Sequence, residues 1–268
     1  MKLSVACLSA SALLAISGQA WSGQEWSVAS DYAPISGGVT VAGVSNTGGI
    51  DDATSSANNA ALQTIQSATW VNTYGGVYNA DGCTTGSFCD LNDLAPNSPE
   101  HAIDNEQRYD MALLSFAGPN KVKLTDVKIR WSTNDSDISV LAYTGSGDPT
   151  ATGKLYGKKY DELVANGWSV IGNYSNAVTG ANTAINGAGI FSSYWLIGAY
   201  NPLAAGSAGY DPLLYDYVKL GAVSGCISGT VGCGTQPPGG TVPEPGSLAL
   251  FGAALVGMVS LRRRQQRV

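Results

Sequence analysis

The sequence predicts an all-β chain folded as a single jelly-roll-like β-sandwich, and three observations carry that prediction. Short runs of alternating or wholly apolar residues recur through the middle of the chain. Turns rich in Gly, Asn and Pro separate them. No stripe of helical period is present outside the two ends. At 268 residues with 44% hydrophobic and 9% aromatic content, the chain has enough apolar side chain to fill a core, which excludes disorder. Its 34 glycines are about 13% of the chain, nearly twice the ordinary share, as a fold made of turns requires.

Taken in order, residues 1–20 read as a signal peptide. Lys2 gives a positive start, residues 3–16 form an uncharged apolar run, and Gly18 and Ala20 supply the small-x-small pattern that places cleavage after Ala20. Residues 21–233 form the expected sandwich. Residues 121–124 and 127–131 alternate apolar with charged or polar positions, but the phase slips by one at Thr125-Asp126, which predicts a bulge or bend. Residues 111–116 and 138–143 are apolar on both faces and read as buried strands of a two-layer structure. Residues 158–166 are the best candidate for a short helical turn, and residues 194–200 and 215–220 are aromatic-rich strands. Residues 234–242, Gly-Thr-Gln-Pro-Pro-Gly-Gly-Thr-Val, form a linker with nothing to bury.

Charge and cysteine placement narrow the function classes. Lys2, Arg262, Arg263, Arg264 and Arg267 lie outside the middle, so nine basic residues face all 20 acidic ones between Glu25 and Glu244, a net −11. Such a segment repels phosphate backbones, and nucleic acid is excluded as a partner. Cys7 leaves with the signal peptide; Cys83, Cys89, Cys226 and Cys233 fall into two close pairs, and in an exported chain local pairing into two disulfides is the preferred of three connectivities.

The residues give no reason to expect an enzyme. The one histidine, His101, lies in a polar loop, with no nucleophile elbow and no zinc-binding helix motif in the chain. A carboxylate pair for glycoside chemistry has no visible anchor. Asp135 and Asp137, with Asp104 earlier, offer alternating hard oxygens, so a structural calcium between loops is one reading; turn capping is the other. An EF-hand is excluded, because a loop starting at Asp135 has Val140 at position six and Ser146 at position twelve. No other cofactor is expected. Trp70, Tyr74, Tyr78 and Trp195 are read as core before sugar-stacking rings.

The far end is more specific. Pro243-Glu244-Pro245 precedes an apolar stretch, residues 246–261, which as a single transmembrane helix at about 1.5 Å per residue is slightly short of a hydrocarbon core of about 30 Å, a difference that snorkelling arginines make up. Arg262, Arg263 and Arg264 hold the far end in the cytoplasm and leave the rest outside. The order of tripeptide, apolar helix and arginine cluster over residues 243–268 resembles a PEP-CTERM sorting signal. Residues 102–105, 110–116, 124–125, 131, 135–145, 167–168 and 194–200 resemble the exosortase-dependent surface proteins. The resemblance implies signal peptidase and exosortase as processing partners and an inner-membrane precursor. It also implies delivery to the cell surface or extracellular matrix of a Gram-negative, polysaccharide-producing, biofilm-forming host, with no activity to carry over. The expectation is a structural or interaction role without catalysis; the alternative is a carbohydrate-binding module for the host's exopolysaccharide.

Overall fold

The computed structural model describes residues 23–48, 63–79, 101–106, 108–205, 215–230 and 232–233. The chain divides into two units, Met1–Cys233 and Gly234–Val268. The second lies outside the described residues, as do the expected signal peptide and transmembrane helix. Among the described residues no helix is long and apolar enough to cross a membrane.

The β-rich reading holds. Twelve strands are described: β1 (Gln24–Ser27), β2 (Val39–Gly48), β3 (Thr64–Val71), β4 (Gly76–Tyr78), β5 (Ile103–Asp104), β6 (Asp110–Phe116), β7 (Val122–Asn134), β8 (Ile138–Tyr143), β9 (Trp168–Tyr174), β10 (Asn182–Ala184), β11 (Tyr194–Ala199) and β12 (Asp216–Ile227). They form two antiparallel sheets. The first runs β1-β12-β7-β10, with β5 also on β12; the second runs β4-β3-β2-β6-β11-β8-β9. The one helix described, α1 (Pro202–Ala205), is a single turn whose Leu203 and Ala204 N–H groups are capped by the Asn201 side chain.

The alternation in residues 121–131 builds one long strand, β7, around its phase slip. Leu124 pairs with Gly225 and Asp126 with Ser224, so Thr125 is the extra residue of a bulge. Skipping it keeps Val122, Leu124, Val127 and Ile129 all buried while Lys123, Lys128 and Arg130 stay on the other face. A second bulge at Arg130 sets Trp131 opposite Lys219. The buried face packs with Trp26, Leu114, Val140, Trp195, Ile197 and Leu220 into a core shared by both sheets.

One expectation needs correcting. Strands apolar on both faces do not belong to a two-layer structure, since two layers bury only one face of each sheet. A third layer is present. Leu155, Tyr160 and Leu163, from two 3-10 turns (Tyr160–Glu162 and Val164–Asn166) and the loop before them, pack on Met111, Leu113, Leu141 and Leu196 of the second sheet. This covers the second face of β6, β8 and β11. The expected helical turn in residues 158–166 is therefore two 3-10 turns, closed by Gly167 at φ 92°.

The β3–β4 hairpin joins the sheets. The Gly75 carbonyl accepts the Leu220 N–H at 2.7 Å, filling the gap on β12 between β1 and β5. A Cβ on Gly75 would lie 1.8 Å from the Leu220 oxygen, and one on Gly76 1.7 Å from the His101 oxygen. Both positions therefore require glycine. At the far end of β12, Cys226 is disulfide-bonded to Cys233 across a short turn. Cys83 and Cys89 lie outside the described residues.

Candidate functional site

Among the described residues, two surfaces collect charged side chains. The first is an acidic corner where β7 ends, β8 begins and β12 begins. Asn134 turns through φ 58°, a conformation asparagine tolerates. The turn sets Asp135 beside Asp216 in an isolated parallel bridge. Asp137 donates its N–H to Asp216 Oδ1 at 2.8 Å. Ligand oxygens of Asp135, Asp137 and Asp216 all lie within 4.8 Å of one another. Asn105 clamps Asp216 from the other side: its amide donates to Oδ2 at 2.7 Å and its Oδ1 accepts the Asp216 N–H at 2.9 Å.

Asp104, expected in this group, is not part of it. It lies buried on β5, where its Oδ1 accepts the Glu106 N–H at 2.9 Å. Asp216 takes its place, and sequence reading missed it because β12 starts 79 residues after Asp137. The other two aspartates also accept backbone N–H groups. Asp135 accepts the Ser136 N–H and Asp137 accepts the Asn176 N–H, each at 2.7 Å. Burial and then the neighbouring Asp137 and Asp135 charges push the Asp216 carboxyl from 3.8 up to about 7. At neutral pH the corner therefore holds a proton in part of the molecules.

The second surface is the outer face of the first sheet. Lys219 Nζ sits 5.1 Å from the ring centres of both Tyr74 and Trp131. Arg130 pairs with Asp31 at 2.7 Å and donates to the Tyr74 carbonyl at 3.2 Å. Lys128 donates to Tyr32 Oη at 2.7 Å and pairs with Glu25 at 3.0 Å, and these two bonds raise its pKa. Gly221 makes room beneath: a Cβ there would lie 3.2 Å from both the Tyr32 ring and Arg130. Sequence reading placed Lys123, Lys128 and Arg130 outward but not the Tyr74–Lys219–Trp131 stack, which needs the β7–β12 register and the β3–β4 hairpin.

Of the aromatic residues singled out, Trp195 is fully buried, Trp70 packs on the core from a half-buried position and Tyr78 is half-buried, while Tyr74 is 44% exposed. His101 is half-buried, at φ 55°, with its ring edge-on to Tyr78 at 5.1 Å. Ala20, Pro243, Glu244, Pro245, Arg262, Arg263 and Arg264 lie outside the described residues.

For the tail, comparison with family models decides. Residues 241–264 match the PEP-CTERM protein-sorting motif. The chain carries a PEP-CTERM sorting signal. The match takes in Pro243-Glu244-Pro245, the apolar stretch and Arg262-Arg263-Arg264, and it starts at Thr241, two residues before the tripeptide. It implies exosortase-dependent sorting of an exported surface protein. The match is confined to the tail and does not extend to residues 100–220. No curated protein and no solved structure matches the chain.

Proposed function

We propose that the PEP-CTERM chain is made as an exported precursor cut by signal peptidase after Ala20 and held in the inner membrane by a helix over residues 246–261. An exosortase then processes it at Pro243-Glu244-Pro245, and residues 21–233 act at the surface of a Gram-negative cell, or in its biofilm matrix, as a structural or interaction domain without catalysis. The sorting motif at residues 241–264 carries this reading. Proline cannot sit inside a helix, so the order Pro243-Glu244-Pro245 favours an extended tripeptide of the kind a processing enzyme requires. The three-layer packing, a disulfide at the end of β12 and turn-rich surface support a domain built for stability outside the cell.

The experiment is fractionation of the host with and without its exosortase. The full chain should collect in the inner membrane when the enzyme is missing, or when Pro243, Glu244 and Pro245 are all replaced by alanine. Unchanged release in both cases would sink the reading.

A second reading, binding to the host's exopolysaccharide, is favoured by one observation. The outer face of the first sheet presents an exposed Tyr74 and a half-buried Trp131 beside lysine and arginine side chains, and rings of that kind stack on sugar faces.

A further inference from the structure

We propose that signal peptidase cuts before β1 docks, so that the first strand closes the fold on the last one only after the signal has gone. This rests on the reading of residues 1–20 as a signal cut after Ala20, and adds the order of cutting and folding.

Strand pairing sets the order. Gln24, Glu25, Trp26 and Ser27 of β1 lie opposite Gly225, Ser224, Val223 and Ala222 of β12, some 200 residues later. Among the described residues β1 has no other partner strand. An exported chain crosses the membrane N-terminus first, and a strand of four residues has no stability by itself. β1 therefore stays unpaired until β12 has followed it out. For all that time the chain around Ala20 is free to be taken up extended, the form in which an enzyme can pair with a peptide backbone.

Docking then closes access. Val28 prolongs β1 by donating its N–H to the Gly221 carbonyl at 2.9 Å. Trp26 is 2% exposed and packs edge-on to Phe116, with ring centres 4.9 Å apart. Gly23 already runs along β12, since a Cβ there would lie 3.5 Å from the Gly225 oxygen. Only Trp21 and Ser22 separate the cut from that point. Two residues reach at most about 7 Å, no farther than a headgroup layer of roughly 5–8 Å. A folded domain held so close leaves no room for a protease beside the membrane, and the residues from Gln24 on are already bonded to β12.

The tail is under no such limit. Nine residues, 234–242, separate Cys233 from Pro243 and reach up to about 30 Å, enough for a second enzyme to work on a closed domain.

The test uses the full chain, refolded with its signal uncut in a neutral detergent, and purified signal peptidase. Gels follow the cut, and sequencing of the product gives its new N-terminus. The natural chain is compared with one carrying about ten Gly and Ser residues between Gly23 and Gln24, which add reach and leave β1 intact. Melting curves establish that both are folded. The natural chain taken directly on dilution from denaturant is the unfolded substrate of unaltered sequence. The spacer chain and the unfolded chain should be cut after Ala20. The folded natural chain should be cut about tenfold more slowly or less, because cutting waits for β1 to open. Equal rates for the two folded chains would overturn the proposal and leave the signal reading intact. An unfolded chain left uncut, or cut at another bond, would sink the signal reading and the proposal with it. The exosortase fractionation reads the tail alone, so neither result decides the other.

Discussion

At the residue scale, Asp216 shows how one buried carboxyl can set the pH response of a fold. Its folded pKa, about 7, lies above the ordinary 3.8 because burial and two neighbouring aspartates disfavour its charge. A raised carboxyl contributes stability that is complete below about pH 4 and is lost as pH rises through about 7. The melting temperature should accordingly rise as pH is lowered from 8 to 5, and Asp216→Asn should flatten that slope while keeping an oxygen for the Asp137 N–H. A slope unchanged by the substitution would show that another group carries the effect. Asp148 acts in the opposite window. Its bonds to Thr150 hold its pKa below 3.8 despite partial desolvation, so its contribution is present above that value and fades in stronger acid.

At the element scale, bulges and glycines decide whether strands fit. Thr125 is the extra residue of the β7 bulge. Without it Val122, Leu124, Val127 and Ile129 would still face the core in unbroken alternation, with Leu124 and Asp126 already opposite the adjacent Gly225 and Ser224 of β12. Deletion of Thr125 should therefore keep a cooperative melting transition by circular dichroism, lowered by loss of the bond from the Ile185 N–H to the Thr125 carbonyl at 2.8 Å; loss of the transition would show that the bulge itself is required. Gly75 is stricter. A methyl group 1.8 Å from the Leu220 oxygen must push the hairpin off the first sheet, so Gly75→Ala should cost about 3 kcal/mol or more in a denaturant titration. The third layer is ordinary hydrophobic packing. Leu163 is fully buried on the second sheet, and Leu163→Ala should cost roughly 2–5 kcal/mol.

At the scale of the whole molecule, the fold joins strands far apart in sequence, β1 with β12 and β2 with β6, and then locks the end of β12 by its disulfide. Replacing Cys226 and Cys233 together by serine closes no loop in the unfolded chain. It should cost about 2 kcal/mol, read as a lower denaturant midpoint that reductant no longer changes. The same long-range pairing explains the acidic corner and the Tyr74–Lys219–Trp131 stack. Both are built on β12, whose neighbours in space, Asn134 and Trp131, come from a strand some 80 residues earlier.

Much of this protein was legible without coordinates. The phase slip at Thr125, the outward lysines of β7 and the short turns in residues 158–166 follow from local periodicity, and Pro243-Glu244-Pro245 with its arginines follows from residue order alone. These are properties of a few neighbouring residues, and a sequence states them outright. Strand order, the third layer over β6, β8 and β11, the replacement of Asp104 by Asp216 and the Tyr74–Lys219–Trp131 stack were decided by tertiary structure. Each depends on which distant segments pair across a sheet. That choice is made by the summed burial of the whole core, which no local stretch of chain encodes.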